Sequence, residues 1–198
     1  MVKEVRKEYK LIVTEAEVSN FLALNKKDLA TIYPKRKVIS LYFDTLNYDL
    51  YRRSKFMDTD RYKIRVRTYS SDKNLYKEIK FNLQTGKDKH VEKLSFESLS
   101  EIEEINYKGI TYVPAAFTEY ERSYFSLKSA RITIDRNIKF TSHQFRTLFK
   151  NVKFFEKNII EYKNMPAFNE VEKYLEKNPV SFSKYNTAIE KLYLYNEK

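Results

Sequence analysis

The chain has 198 residues, enough for one domain with a sizeable core, and 38 Lys and Arg against 27 Asp and Glu give a net charge of +11. That surplus favours an anionic partner, with nucleic acid, an acidic membrane surface and a phosphorylated small molecule all open. The absence of cysteine excludes disulfides and thiolate metal sites.

Gly86 and Gly109 are the only glycines, and neither sits in a GxGxxG or GxxxxGK pattern. A dinucleotide fold or P-loop is therefore not expected, and any bound phosphate must be held by side chains. His90 and His143 are far apart and show no metal-ligand spacing. VKEVRKEYK is charged from the start, without a signal-peptide pattern, and no apolar run approaches the roughly 20 residues of a membrane-spanning helix. These features predict a soluble, cytoplasmic, single-domain protein over 1–198.

In chain order, EVRKEYKLIV alternates, with Arg6, Glu8 and Lys10 on one face and Tyr9, Leu11 and Val13 on the other. Thr14 then opens a capping box with Glu17, and Val18, Phe21 and Leu22 follow at helical spacing. KVISLYFDT reads as a more apolar strand whose Asp44-Thr45 end leads into a short polar segment through Arg53. RYKIRVRTY sets Arg61, Lys63, Arg65 and Arg67 opposite Tyr62, Ile64 and Val66. In LYKEIKFN, Glu78 and Lys80 oppose Ile79 and Phe81, and KHVEKLSF is a weaker strand with Lys89, Val91 and Lys93 on one side. Arg122 lies two residues after Tyr120 in TEYERSYF. ARITIDRNI opposes Arg131, Thr133 and Asp135 to Ile132 and Ile134, and IIEYKN opposes Glu161 and Lys163 to Ile160 and Tyr162. Two helices complete the chain: MPAFNEVEKYLEK, with Pro166 early, and one within SKYNTAIEKLYLY with Tyr185, Ala188, Ile189, Leu192 and Tyr193 on a stripe. The sum is an α+β domain dominated by an antiparallel sheet.

Two arrangements satisfy this pattern. The simpler puts the apolar face on a core and the charged face in water. The other closes the sheet into a barrel with charged faces inward, around a hydrated or anion-filled lumen. In the row Arg61-Lys63-Arg65-Arg67, same-face neighbours about 6.8 Å apart repel by about 0.6 kcal/mol in water and about 2.4 kcal/mol at an effective dielectric of 20. If that row faces inward, a polyanion or a set of carboxylates must offset it. Arg is scarce here, 11 against 27 Lys, yet three fall in one strand, and Arg suits bidentate phosphate binding. Isolated acids among the bases (Glu8, Glu78, Asp135 and Glu161) serve a nucleic-acid surface poorly but would suit a divalent cation beside phosphate.

The series RKEYKL, ISLYFDT, RYKIRVRTY, EIK, YER, RITID, IIEYK and FSKY, in this order from Arg6 to Tyr185, resembles the vacuolar transporter chaperone (VTC) domain. That domain is the polyphosphate polymerase branch of the CYTH, or triphosphate tunnel metalloenzyme, superfamily. The resemblance implies an eight-stranded antiparallel tunnel barrel with flanking helices, whose inward bases grip ATP, triphosphate or polyphosphate. Residue by residue, it implies phosphate binding by Lys10, Arg65, Arg67, Lys80, Arg122, Arg131 and Lys184, with the four arginines spreading charge over the transferred group. It implies Mn²⁺ or Mg²⁺ at Glu161, with Glu8 as a supporting ligand. Lys93 stands where the family has a basic pair, but the pair here is Glu92-Lys93. Arg6 replaces the first acid of the hydrolases' ExExK, giving a VTC-like RxExK that argues against two-metal hydrolysis. Nucleic acid is not an expected partner. A membrane protein in trans, holding the domain peripherally at a membrane, fits the family. Triphosphate hydrolysis and catalytically silent polyphosphate binding are the alternatives. Competing roles also stand for single residues: Arg122 and Arg131 could pair with Asp135 or Glu119, Glu161 with Arg65, and Lys184 could be an exposed helix lysine.

Overall fold

The structure, a computed structural model, describes residues 8–56, 58, 61–70, 72–83, 86–127, 130–148, 150–163 and 177–194. Arg6 and most of the helix expected over MPAFNEVEKYLEK lie outside the described residues. The strands are β1 (Glu8–Val13), β2 (Leu29–Asp44), β3 (Arg61–Tyr69), β4 (Asp72–Leu83), β5 (Gly86–Leu94), β6 (Ile105–Tyr107), β7 (Ile110–Leu127), β8 (Ala130–Ser142), β9 (Val152–Phe155) and β10 (Asn158–Lys163). The helices are α1 (Glu15–Leu24), α2 (Asp49–Lys55) and α3 (Lys184–Ile189), the last running on as a π-helical turn over Glu190–Leu194. No described helix is long and apolar enough to cross a membrane.

The chain folds as two compact units. The first comprises Met1–Lys37, Tyr120–Ile138 and Phe155–Phe182, and its strands are ordered β1-β10-β8-β7-β2. Antiparallel register sets Leu11 against Ile160 and Ile160 against Ile134. Because paired residues share a face, the alternation in three strands adds up to one apolar surface. Leu11, Val13, Ile132, Ile134, Ile160 and Tyr162 form it, and Val18 and Phe21 of α1 pack into it. The Thr14 hydroxyl accepts from the Glu17 amide while the Glu17 carboxylate accepts from the Thr14 amide, the predicted capping box.

The second unit comprises Val38–Glu119, Lys139–Phe154 and Ser183–Lys198. Its order is β8-β7-β2-β3-β4-β5, with β6 added to β7 and β9 to β8. Leu41, Phe43, Tyr62, Ile64, Val66 and Ile79 supply the sheet side of its core, and Leu50 of α2, Ile102 and Tyr112 complete it.

The architecture is the expected mostly antiparallel α+β sheet, with ten strands among the described residues where eight were expected. Among the described residues its hydrogen-bonded path ends at β1 and at β5 and does not close. The polar segment after Asp44 holds a helix, α2, and TEYERSYF is the end of an eighteen-residue strand.

Candidate phosphate-binding and metal-binding clusters

In the second unit, register builds a basic face from β2 to β5. Lys63, Lys80 and Lys89 are paired across three strands, as are Arg65, Glu78 and Val91, and then Arg67, Tyr76 and Lys93. These nine positions carry six cations and one carboxylate. On the β2 side, Tyr42 pairs with Arg65 and Ser40 with Arg67. On the opposite side of β3, Tyr62, Ile64 and Val66 are core, and on the charged side Arg61, Lys63 and Arg65 are half-buried. Arg67 is only 5 % exposed and Glu78 only 2 %.

Glu78 takes up part of the repulsion. Arg65 reaches it with Nη2 at 2.5 Å and Nε at 2.6 Å, Lys89 Nζ at 2.6 Å, and Arg67 Nη1 at 3.8 Å. Burial alone would raise the Glu78 carboxyl. The charges of Arg65, Arg67 and Lys89 outweigh it and hold the pKa at about 2. Arg67 Nε also donates to Ser40 Oγ at 2.9 Å, and Arg65 Nη1 to the Tyr42 hydroxyl at 3.1 Å. Burial would likewise push the Tyr42 phenol up, but Arg65, Arg67 and Lys184 together pull it below the usual phenol value. The Lys184 ammonium therefore acts on the same group as the two arginines. Lys63 Nζ donates to Ser183 Oγ at 2.6 Å, next to Lys184 at the start of α3. Lys93, at the margin of this face, is solvent-exposed.

In the first unit a second charged face lies opposite the apolar one. Glu8, Lys163 and Arg131 are paired across β1, β10 and β8, as are Lys10, Glu161 and Thr133. Lys163 Nζ contacts Glu8 Oε1 at 2.6 Å and Glu161 Oε1 at 3.1 Å. Burial would lower the Lys163 ammonium, and the two carboxylates more than offset that, leaving it raised. Glu161 is thus ion-paired with Lys163, while the partner of Arg65 is Glu78. Lys10 Nζ donates to the Phe182 carbonyl at 2.7 Å. Arg122 forms a bidentate pair with the fully buried Asp135, Nε to Oδ1 at 2.5 Å and Nη2 to Oδ2 at 2.7 Å. Although burial opposes it, Asp135 raises the guanidinium well above its ordinary value. The alternative pairing weighed for Arg122 is the one observed, whereas Glu119 pairs with Lys139 at 2.8 Å. Arg131 is solvent-exposed and lies over the Tyr124 ring, 5.7 Å from its centroid.

Among the described residues no three His, Cys, Asp or Glu side chains gather as a metal cage. Glu8 and Glu161 nonetheless share one cation, which brings two carboxylates to a common point. Mg²⁺ and Mn²⁺ are commonly held by one or two carboxylates plus phosphate oxygens and water, so the donor set fits such an ion. Lys89 and Lys163 were not singled out as site residues by the sequence. Lys163 lies two positions along a strand from Glu161 and Lys89 four from Lys93, and only register shows which acids they meet across the strands.

No curated protein matches the chain by sequence. Several solved structures share its fold. HpAC1 from Hippeastrum, a proposed adenylyl cyclase described as having a dominant triphosphatase activity, superposes with a TM-score of 0.57 at 12% identity, covering 94% of this chain and 96% of that one. The PH1819 protein from Pyrococcus horikoshii OT3 gives 0.57 at 11% identity, covering 94% and 99%. A proposed adenylate cyclase from Vibrio parahaemolyticus gives 0.52 at 14% identity, covering 87% and 83%. These likenesses agree with the α+β tunnel-type fold implied by the sequence motifs. The VTC domain model matches residues 5–106 and 95–193, nearly the whole chain, and the protein belongs to the VTC domain family.

Proposed function

We propose that this domain binds a triphosphate or polyphosphate chain through its basic strand faces and transfers the γ-phosphoryl group of ATP to the end of polyphosphate. The observation that carries this reading is the face of β3, β4 and β5, where six cations accompany one carboxylate and Arg67 is almost wholly buried. A polyanion bound along this face would offset the mutual repulsion of cations aligned at strand spacing. A chain of phosphates matches a row of cations at strand spacing, and the bidentate forks of Arg65 and Arg67 suit its oxygens.

Phosphoryl transfer asks a protein mainly for positioning and charge neutralisation. Arg65, Arg67, Lys80 and Lys184 would neutralise phosphate oxygens in the second unit, and Lys10, Arg122 and Arg131 would do so in the first. Arg122 keeps donors beyond the two that Asp135 accepts, since a guanidinium has five. Glu161, with Glu8, would hold Mn²⁺ or Mg²⁺. Bound there, the cation would draw negative charge from phosphate oxygens. Lys93, exposed at the edge of the face, would steer the incoming anion rather than clamp it.

Hydrolysis is the second reading, favoured by the triphosphatase activity attributed to the similarly folded HpAC1. Polymerase and hydrolase differ in whether a phosphate oxygen or water attacks the γ-phosphorus. Incubation with ATP and Mn²⁺ separates them: a ladder of lengthening polyphosphate on a gel supports transfer, and orthophosphate alone supports hydrolysis. Tripolyphosphate binding without turnover of ATP would leave a binding module. Failure to bind tripolyphosphate, with or without Mn²⁺, would sink all three.

A further inference from the structure

The motif ISLYFDT ends β2, yet none of its residues has been given a phosphate or metal to hold. Its two polar aromatic and acidic members, Tyr42 and Asp44, both face Tyr185 of the FSKY motif. The Asp44 carboxylate is fully buried and accepts from the Tyr185 hydroxyl. It also accepts the backbone amides of Thr45 at 2.7 Å, Leu50 at 2.9 Å and Tyr51 at 2.9 Å. The Tyr42 and Tyr185 rings stack, with centroids 5.1 Å apart and planes inclined by 25°. Two further bonds tie the start of α3: Lys63 Nζ to Ser183 Oγ at 2.6 Å, and Asn186 Nδ2 to Ser54 Oγ of α2 at 3.1 Å.

We propose that Tyr42 and Asp44 form a seat for Tyr185, and that this seat is the device that aims Lys184 at bound phosphate. The proposal rests on the phosphate-binding reading of the basic face. Tyr185 is a positioning residue, and Asp44 acts through it. α3 has six residues and the π-helical turn that continues it five, too few for backbone bonds alone to fix the segment in place. Lys184 is the residue immediately before Tyr185, and its flexible stem has four carbons. An anchored Tyr185 fixes where that stem begins. Asp44 accepts amides from the first turns of α2, so it is itself immobile and transmits that rigidity to α3 through one hydroxyl. Tyr42 completes the link, because the same side chain that stacks on Tyr185 accepts a hydrogen bond from Arg65. Lys184 and Arg65 are thereby registered to one another through two tyrosines. Sequence spacing could not show this, since 141 residues separate Asp44 from Tyr185.

A double-mutant cycle on the full chain, read by titration with tripolyphosphate, tests the seat. Tyr185→Phe removes one oxygen and keeps the stack, and Lys184→Ala removes the aimed group. We expect Tyr185→Phe to weaken tripolyphosphate binding about fivefold, roughly the worth of one hydrogen bond, and to have almost no further effect in the Lys184→Ala background. Asp44→Asn should reproduce both results, and Tyr42→Phe, which keeps the ring, should leave the Tyr185→Phe effect in place. Additive losses, or unchanged affinity for Tyr185→Phe with Lys184 present, would overturn the proposal. A purely structural role for Tyr185 lowers the melting temperature equally in both backgrounds without this non-additivity. If Asp44→Asn does not fold, the Tyr185→Phe cycle decides alone. Wild-type protein that binds no tripolyphosphate overturns the phosphate reading itself and takes the seat with it, a result distinct from intact binding with an additive cycle.

Discussion

Removing the charge of Glu78 would leave Arg65, Arg67 and Lys89 with the repulsion that one carboxylate now offsets. Truncating one partner of a buried pair is costly because the surviving charges stay desolvated, so Glu78→Gln should lose on the order of 3 kcal/mol of folding stability in urea denaturation. Tripolyphosphate should restore more stability to this variant than to wild type, because the anion supplies what the amide cannot. The pH dependence follows from the carboxyl being held at about 2 instead of its ordinary 4.5. A lowered pKa contributes stability fully present above about 4.5 and lost as pH falls through about 2, with a total of roughly 3 kcal/mol. Denaturation curves between pH 6 and pH 2 should therefore show a gap between wild type and Glu78→Gln that is constant above about pH 4.5 and shrinks below it. A gap that stays constant throughout would mean that Glu78 acts by shape rather than charge. The same reasoning applies to Asp135, which is fully buried and holds the Arg122 fork. Asp135→Asn and Arg122→Met should each cost about 3–5 kcal/mol, because each leaves the other charge desolvated without its counter-ion, and the double variant should cost less than the sum of the two.

At the level of elements, what was legible is what alternates. β1, β3, β4, β8 and β10 each display charged and apolar residues at period two, and each sends apolar residues from one face into a core. The capping box at Thr14 was equally plain, and Thr14→Ala should lower stability by about 1 kcal/mol, readable as a fall in melting temperature. Other elements gave no such signal. The first half of β7, ITYVPAAF, is nearly all apolar and contains Pro114, a residue that argues against a strand interior. β6 and β9 have three and four residues, too few for a period to show. α2 begins after Tyr48 in a left-handed conformation with no side-chain cap, so the usual start signal is missing. The candidate site was legible as a set of residue types but not as a set of pairs. Which acid meets which base depends on register, and register is settled by tertiary packing. Lys163 shows the consequence: its neighbours in sequence do not reveal that it joins Glu8 to Glu161. Lys163→Met should release both carboxylates from that ammonium and strengthen Mn²⁺ binding by roughly tenfold, given that hydrogen bonds to charged groups are worth about 1.5–3 kcal/mol. Calorimetric titration with MnCl₂ alone would read this, and unchanged affinity would remove Glu8 and Glu161 as the metal pair.

For the molecule as a whole, the surplus of +11 charges admits two kinds of anion binding that respond differently to salt. Charges spread over open surface attract any polyanion, and their pull is screened once the Debye length falls from about 14 Å at 0.05 M to about 4 Å at 0.5 M salt. Half-buried cations are screened much less, because low-dielectric protein replaces electrolyte around them. The arginines of the basic face of β3–β5 are of the second kind: Arg67 is nearly inaccessible, and the Arg65 side chain is 18% exposed. Exposed lysines such as Lys26, Lys27 and Lys150 are of the first kind. A duplex is about 20 Å across and can use only the surface charges, whereas a single phosphate chain can enter between side chains. Tripolyphosphate should therefore still bind at 0.5 M NaCl, weakened by roughly tenfold from its value at 0.05 M, while binding of a short DNA duplex should fall by a hundredfold or more over the same range. The reverse ordering, with duplex binding the more salt-resistant, would move the functional charge from the strand faces to the outer surface. It would also make the burial of Arg67 and Glu78 a matter of folding alone.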